Sequence, residues 1–360
     1  MDVYGELREV LHKNAIGAPK SDAFDEILRL LFTPQEAAVA RKMTFAPMSA
    51  QQIADATGMP SEEIANICES MAKKGVLFSR DKKGVTGYAL LPTVPGLFEF
   101  PLMRGITSPF HEKLAALWNK YHDESLGHEL GGAKTPVMRV IPVEQTIQTR
   151  NKVLHYDVVS KMLETPEYFA VAQCACRVSV GACDKPRDTC LMFDSAARFL
   201  VDRGIAKEIH RDDAQATLLR AEEAALVHMC NNSQDRLTVI CNCCSCCCTM
   251  LTVMTRLHNP NAFARSPWHA SVAADACTGC AVCSDERCPV GAITLSDEIA
   301  QVDENRCVGC VLCVSTCSGD AITMIHRRDP LAPPSTVQEM GMNVLMEKGR
   351  LEQYLALHKR

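Results

Sequence analysis

The chain has 360 residues, enough for two or three compact domains that each bury a core of their own. Its formal net charge of -5 and its lack of long runs of like charge exclude a general polyanion-binding surface. No stretch reaches the roughly 18 consecutive apolar residues of a spanning helix, and the charged first segment, MDVYGELREVLHK, is not typical of a secretory signal. We therefore expect a soluble, cytoplasmic protein without direct membrane insertion.

The first predicted elements are helices with clear start and stop signals. Residues 21–32 place apolar side chains at the spacing of one helix face. The next helix has an N-cap, a first-turn proline and a capping-box acid in Thr33, Pro34 and Glu36. A serine opens and a glycine ends each of two further predicted helices, 49–58 and 61–75. The sequence thus predicts a helical N-terminal unit.

A hairpin completes this unit, with strands predicted at 76–78 and 87–91 across the charged turn 80–84. Helices followed by such a hairpin resemble a winged helix-turn-helix domain, which we place at residues 1–105. The resemblance implies a fold and does not by itself imply DNA binding. The helix in the recognition position carries three glutamates and two lysines, Glu62, Glu63, Glu69, Lys73 and Lys74. This charge pattern is poor for phosphate contacts, so we expect a structural or docking role and do not expect DNA as a partner.

The following segment, residues 106–165, gives few signals, and we interpret it as a linker that wraps the neighbouring domain, extended over 137–143. A strand at 168–173 and a helix at 195–203 come next, and Asp212 or Asp213 is expected to cap another helix. Residues 166–270 are predicted to form a compact α+β domain that brings two cysteine-rich segments together. The fold class expected for the whole chain is accordingly α+β.

Cysteine is the outlier in the composition, with 20 residues of which all but Cys68 lie after residue 170. Near the C-terminus the pattern Cys277-Thr-Gly-Cys280-Ala-Val-Cys283 recurs 30 residues later as Cys307-Val-Gly-Cys310-Val-Leu-Cys313. Three thiolates at this spacing can bind three corners of a cubane cluster, while backbone N–H groups of the tight turns face its sulfides. The fourth corner must come from elsewhere in the chain.

These residues resemble the bacterial two-cluster ferredoxins, in which the last cysteine of each run binds the other cluster. For residues 271–328 the resemblance implies two [4Fe-4S] clusters, one held by Cys277, Cys280, Cys283 and Cys317, the other by Cys307, Cys310, Cys313 and Cys288. The sequence departs from the pattern in having four residues between Cys283 and Cys288, and serine instead of proline at position 318. Zinc also binds four thiolates, but its sites do not usually repeat three cysteines at two-residue gaps.

A second set of cysteines is expected to bind one or two additional iron–sulfur clusters. Its members are Cys174, Cys176, Cys183, Cys190, Cys241, Cys243, Cys244, Cys246 and Cys247, with Cys248 and Cys230 ranked below them. Neighbouring residues on a strand point to opposite faces, so residues 243–248 must form an irregular loop or serve two sites. Arg177, Lys185 and Arg187 would offset thiolate charge. A zinc site and a redox thiol reservoir remain the alternatives.

The whole chain resembles multidomain 4Fe-4S-binding proteins of anaerobic bacteria and archaea, with a helical tail at 329–360. The resemblance implies electron transfer, and the sequence contains no dinucleotide or Walker fingerprint. Our first hypothesis is a relay of single electrons between a soluble donor or acceptor and a partner oxidoreductase, without a catalytic site of its own. The alternatives are a reductase with a substrate-accessible iron in the middle domain, and a redox-responsive transcription regulator.

Overall fold

The computed structural model describes residues 2–142 and 159–359. Its N-terminal part consists of α1 (Val3–Leu11), α2 (Asp22–Leu31), α3 (Pro34–Ala40), β1 (Met48–Ser49), α4 (Ala50–Thr57), α5 (Ser61–Lys74), β2 (Leu77–Lys82) and β3 (Val85–Leu90). The three strands form an antiparallel sheet in the order β1-β3-β2. The capping box of Thr33 and Glu36 is present, and Gly58 and Gly75 end their helices in the left-handed conformation. The predicted helices are therefore observed.

The β2–β3 hairpin has a shorter turn than the sequence suggests. Its strands pair as far as Lys82 and Val85, which leaves Lys83 and Gly84 in the turn. Both turn residues have positive φ, 57° and 78°, as a two-residue type I′ turn requires. The charged run that predicted a loop over residues 80–84 therefore belongs mostly to an exposed strand.

The segment expected to be a linker contains packed helices. After α6 (Glu99–Leu102), which precedes this segment, the described elements are α7 (Pro109–Tyr121), α8 (Gly127–Leu130), β4 (Met138–Val140) and α9 (Val159–Met162). Trp118 and Tyr121 of α7 are buried, with ring centroids 5.9 and 4.6 Å from that of Phe24 in α2. Since Leu114, Trp118 and Tyr121 share one helix face, this part is a core helix rather than a wrapping linker. Residues 143–158 of the expected linker lie outside the described residues.

The middle of the chain is built on a six-stranded sheet. Its elements are β5 (Phe169–Ala172), α10 (Ala175–Val180), β6 (Cys190–Phe193), α11 (Asp194–Asp202), β7 (Lys207–Ile209), α12 (Arg211–Glu223), β8 (Val227–Asn231), β9 (Val239–Cys243) and α13 (Thr249–Thr255). The strand order is β4-β8-β9-β6-β5-β7, and all neighbours are antiparallel. The cap of α12 differs from expectation, because His210 is the N-cap and Asp213 accepts a hydrogen bond from its backbone N–H at 3.0 Å.

The C-terminal part has two small antiparallel sheets followed by helices. The strands are β10 (Trp268–Val272), β11 (Ile293–Ser296), β12 (Ile299–Val302) and β13 (Ile322–His326), paired as β10-β13 and β11-β12. The helical tail consists of two helices, α14 (Val337–Glu347) and α15 (Leu351–His358). The fold thus mixes helices with several antiparallel sheets, and within the described part of the chain no helix has the length and apolarity needed to cross a membrane.

The N-terminal part packs on helix α11 of the middle part. The ring of Phe78 in β2 lies 5.1 Å from that of Phe199 in α11, measured between centroids. Glu69 of α5 accepts a hydrogen bond from Arg203 at 3.0 Å. Glu69, one of the three glutamates that make phosphate contacts by α5 unfavourable, therefore forms an ion pair within the protein.

The tail folds back onto the beginning of the chain through a buried ion-pair network. Both guanidinium Nη atoms of Arg350 donate to the Glu129 carboxylate, at 2.5 and 2.8 Å. Lys348 donates to the same carboxylate at 2.7 Å and also to the Ala15 carbonyl at 3.1 Å. The side chains of Glu129 and Lys348 are only 9% and 6% exposed. Removing one charge from such a network leaves the others buried and unpaired.

We expect Glu129→Gln to destabilise the folded chain by about 3–5 kcal/mol, because two buried cations would lose their carboxylate. The measurement is the thermal unfolding midpoint at pH 7, compared with wild type at one scan rate. Glu124→Gln is the matched control, since the pair of Glu124 with Lys120 is exposed and contributes less than about 1 kcal/mol. Equal midpoints for the two variants would contradict this prediction.

The same network predicts a pH dependence. Burial acts to raise the pKa of Glu129, but Arg350 and Lys348 outweigh it and lower the pKa from 4.5 to about 2. A carboxyl whose pKa is lowered by folding stabilises the fold above its unfolded pKa and loses that contribution as the pH falls through the folded pKa. The difference in midpoint between wild type and Glu129→Gln should therefore be constant above about pH 5 and narrow between about pH 4.5 and 2.

Candidate metal centres

The two cysteine-rich loops of the C-terminal part have the same backbone conformation. Gly279 and Ala281 in the first loop have φ of 69° and 62°, and Gly309 and Val311 in the second have 71° and 73°. Positive φ is costly for alanine and rarer still for a β-branched residue such as valine. Since the strained conformation recurs at both equivalent positions, the loops share a shape that turns backbone N–H groups toward their cysteines.

Backbone donors reach the thiols directly. The Ala292 N–H donates to Cys288 Sγ at 3.1 Å, and the Ala300 N–H donates to Cys277 Sγ at 3.4 Å. Such N–H···S bonds stabilise thiolates and help to set the potential of iron–sulfur clusters. This arrangement suits sulfur ligands of a metal cluster better than inert core cysteines.

The loops also bring cysteines from the two repeats together. Cys283 lies close enough to Cys277 and Cys280 for their charges to interact. Cys288 of the first repeat interacts in the same way with Cys310 and Cys313 of the second. Cys317 is half-buried at the start of the turn before β13, where its N–H donates to the Val314 carbonyl at 3.1 Å. Burial raises the pKa of Cys310 to about 12, so a bound cation is needed to make its thiolate favourable.

Ten cysteines of the middle part separate into two groups. The six-thiol group consists of Cys174, Cys176, Cys190, Cys241, Cys243 and Cys248, and the four-thiol group of Cys183, Cys244, Cys246 and Cys247. In the four-thiol group all Sγ atoms lie within 4.8 Å of one another. Cys183 Sγ is 3.9 Å from the Sγ atoms of both Cys244 and Cys247, and Cys246 Sγ is 3.7 Å from that of Cys247. The two predicted cysteine-rich segments therefore meet.

The six-thiol group lies beside the central strands β6 and β9 of the six-stranded sheet. Neighbouring thiols shift one another's pKa in the order Cys174, Cys176, Cys248, Cys243, Cys241 and Cys190, so each lies near the next. Cys241 and Cys243 share one face of β9, since they are two residues apart on a strand. Hydrogen bonds from Cys176 and Cys243 lower the pKa of Cys248 to about 5. Cys248, which sequence reasoning ranked below the others, thus belongs inside this group.

Cys230 and His228 lie apart from both groups in the packing of β8. Cys230 is fully buried in an apolar cluster, and its Sγ donates to the Asn231 carbonyl at 3.3 Å. The Nδ1 atom of His228 forms a 2.5 Å hydrogen bond with Asn242 Oδ1, and burial lowers the pKa of His228 to about 4. Both residues therefore act as packed side chains of the core.

Consecutive cysteines serve different groups. Strand β9 ends at Cys243, and a turn leads to Cys248, the N-cap of α13, whose Sγ accepts a hydrogen bond from the Leu251 N–H. Cys243 and Cys248 point into the six-thiol group, while Cys244 and Cys247 point into the four-thiol group. Residues 244–247 form an irregular turn after β9, and the thiols of residues 243–248 face two different groups.

A buried arginine lies between the two groups. Arg177 is fully buried, and its Nη1 atom donates to the Asn242 carbonyl at 2.7 Å and lies 3.9 Å from Cys244 Sγ. Burial alone would lower its pKa, but the sulfurs of Cys174 and Cys244 outweigh burial and raise the pKa. Arg177 is therefore a permanent cation that offsets thiolate charge on both sides.

We expect Arg177→Met to weaken metal retention and to destabilise the fold by about 3–5 kcal/mol, because the thiolates would lose their buried counter-charge. The readouts are metal content per chain after anaerobic purification and the thermal unfolding midpoint. Arg187→Met is the matched control: Arg187 was also expected to offset thiolate charge, but it is exposed, so solvent screens its charge. The prediction fails if both variants keep the metal content and midpoint of the wild type.

Sequence reasoning missed one carboxylate beside the six-thiol group. Glu99 of α6 accepts a hydrogen bond from the Gly96 N–H at 2.6 Å. Burial and the nearby Cys241 nevertheless raise the pKa of Glu99 to about 8. A carboxyl with such a pKa can gain or lose a proton near neutral pH. No pattern in the sequence marks Glu99, because its burial arises from contacts between segments far apart in the chain.

The C-terminal loops touch the four-thiol group through α12. Arg287, between Cys283 and Cys288, donates to the Glu223 carbonyl at the end of α12 at 3.1 Å. Ala221 and Ala224 near that end form an apolar cluster with Cys183, Cys244 and Cys247 of the four-thiol group. Helix α12 therefore connects the two cysteine-rich parts of the chain.

These loops and thiol groups define an iron–sulfur protein of ferredoxin type. A segment of the chain is similar to the curated Ferredoxin-2 of Chlorobaculum tepidum, with 44% identity over 57 residues that cover 90% of that protein and 14% of this chain. Through this segment the chain belongs to the ferredoxin family. No family model and no solved structure matches the chain, so the comparisons leave the other parts unassigned.

A second similarity is to one subunit of the ion-translocating oxidoreductase complex of Methanosarcina acetivorans, with 40% identity over 48 residues. The match covers 13% of this chain and 18% of that relative. The chain therefore spans less than a fifth of that relative, and the likeness concerns a short segment rather than its whole length.

Proposed function

We propose that the protein is an electron carrier with two [4Fe-4S] clusters in residues 271–328 and a further iron–sulfur cluster in the six-thiol group. The observation that carries the proposal is the duplicated loop, with the same strained positive φ at Ala281 and Val311 beside the same cysteine spacing. The similarity to Ferredoxin-2 over 90% of its length supports it. Such clusters transfer single electrons when bound.

We assign the cluster ligands crosswise. Cys277, Cys280, Cys283 and Cys317 would hold one cluster, and Cys307, Cys310, Cys313 and Cys288 the other. The approach of Cys288 to Cys310 and Cys313 supports the second set. The N–H groups of Ala292 and Ala300, which donate to Cys288 and Cys277, would stabilise the thiolates in both sets.

We infer that electrons pass between the ferredoxin-like segment and the middle of the chain, and from there to a partner oxidoreductase. The contact of Arg287 with α12, and of α12 with the four-thiol group, supports a fixed arrangement of the two parts. The likeness to one component of an ion-translocating oxidoreductase complex supports a redox complex as the partner. The winged-helix-like unit, residues 1–105, would serve a structural role, since Phe78 packs on Phe199 of α11 and Glu69 accepts a hydrogen bond from Arg203.

The test is the iron and acid-labile sulfide content of protein purified without oxygen, followed by reduction with dithionite. We expect about twelve iron and twelve sulfide per chain, and bleaching of the visible absorption as single electrons are taken up. About eight of each would restrict the clusters to the ferredoxin-like segment and overturn the assignment of the six-thiol group. Absence of sulfide would overturn the proposal as a whole.

A further inference from the structure

The four-thiol group has a geometry of its own. When four thiolates share one tetrahedral metal ion at bond lengths of about 2.3 Å, their sulfur atoms lie about 3.8 Å apart. The measured Sγ–Sγ distances from Cys183 to Cys244 and to Cys247 are 3.9 Å, and the distance between Cys246 and Cys247 is 3.7 Å. The thiols already stand at the separations that a single ion requires.

The ferredoxin-like loops provide an internal comparison. In a cubane each cysteine binds a different iron atom, so its ligands must stand farther apart than ligands of one shared ion. Groups of three or more cysteine, histidine or acidic side chains can be compared over residues 2–142 and 159–359. The four-thiol group is the one whose ligand atoms all lie within 4.8 Å of one another. The cysteines of the ferredoxin-like loops do not converge in this way. The two kinds of site therefore differ in the distances between their sulfur ligands.

We propose that Cys183, Cys244, Cys246 and Cys247 hold one zinc ion as a structural centre. Four cysteines around a closed tetrahedral site are the donor set of structural zinc. Each thiol releases its proton on binding, and Arg177, 3.9 Å from Cys244 Sγ, offsets the negative charge that results. The inference is independent of the function proposed for the ferredoxin-like segment.

The position of the site gives such an ion a role. It would tie the loop of Cys183 to the turn 244–247, and that turn is flanked by Cys243 and Cys248 of the six-thiol group. An ion that does not change its oxidation state keeps these two ligands in place while the neighbouring group takes up an electron. Cys246 is exposed, so a metal ion can reach the site from solvent.

The experiment is zinc, iron and sulfide analysis of the full-length protein purified without oxygen, as wild type, Cys246→Ser and Cys176→Ser. We expect about one zinc per chain in wild type. Cys246→Ser should lose the zinc and keep sulfide and most of the iron, whereas Cys176→Ser should keep the zinc and lose iron and sulfide. The second variant is the matched control because Cys176 belongs to the six-thiol group.

Loss of about four iron and four sulfide in Cys246→Ser, with no zinc in wild type, would overturn the proposal in favour of a cubane. Loss of a single iron without sulfide would overturn the assignment to zinc. If Cys246→Ser fails to fold, X-ray absorption at the zinc edge of the wild type decides the question. Four sulfur neighbours at about 2.3 Å are expected, and nitrogen or oxygen neighbours would contradict the site.

Discussion

Cys310→Ala is expected to lose one complete cluster, seen as a fall of about four iron and four sulfide per chain. Cys310 is held in the second loop between two residues of positive φ, Gly309 and Val311, and its thiol interacts with that of Cys288. An alanine leaves one iron corner without a ligand, and the loop cannot shift to bring another thiol there. Transfer of electrons to a soluble acceptor should fall with the cluster content.

Cys68→Ala is the control for this variant. Cys68 is a fully buried cysteine of α5 in the main hydrophobic core, and burial raises the pKa of its thiol to about 12. Its replacement should cost about 1 kcal/mol of stability and leave iron and sulfide unchanged. Unchanged iron in Cys310→Ala, or equal loss in both variants, would contradict the ligand assignment.

Gly309→Ala should destabilise the folded protein by at least about 3 kcal/mol and release the cluster of the second loop. The residue has φ of 71°, and a Cβ atom there would overlap with the Trp268 carbonyl and with Ser266 Oγ. The same hydroxyl donates to the Gly309 carbonyl at 2.7 Å, so the loop is fixed against the segment before β10. Strain and steric overlap therefore act together. Thermal midpoints followed by visible absorption measure the effect.

Gly84→Ala separates these two causes. Gly84 has φ of 78°, nearly that of Gly309, but a Cβ atom there meets nothing within 4 Å. Its replacement should cost only the backbone strain, about 1–2 kcal/mol, with full cluster content. If the two alanine variants had equal midpoints, the close approach of Gly309 to Trp268 would not be the cause of the loss.

The elements that the sequence predicted well are those decided by neighbouring residues. The capping box of Thr33 and Glu36 and the glycine ends of α4 and α5 depend on contacts within four or five positions. The cysteine repeat is equally local, because its spacing is a property of each loop. Helix α7 was not predicted although Leu114 and Trp118 have helical spacing, since its buried face depends on contacts with Phe24 of α2, far away in the chain.

The division of the middle cysteines could not be predicted from spacing. It depends on the approach of Cys183 to Cys244, residues 61 positions apart, and on the turn that sends Cys243 and Cys244 to opposite sides. Both follow from the order of strands in the six-stranded sheet, where β9 lies between β6 and β8. Such an order is set by packing of the whole domain and leaves no signature in a stretch of a few residues.

Because Arg177 lies between the two thiol groups, their charges are linked. Zinc with four thiolates carries a net charge of about −2, and this charge opposes the addition of an electron to a cluster nearby, while the guanidinium favours it. If the zinc is lost in Cys246→Ser, each of the three remaining thiolates takes up a proton and the net charge of about −2 disappears. The reduction potential of a cluster in the six-thiol group should then rise in a redox titration. The four-thiol group would thus set the energy at which its neighbour accepts an electron, without carrying one itself.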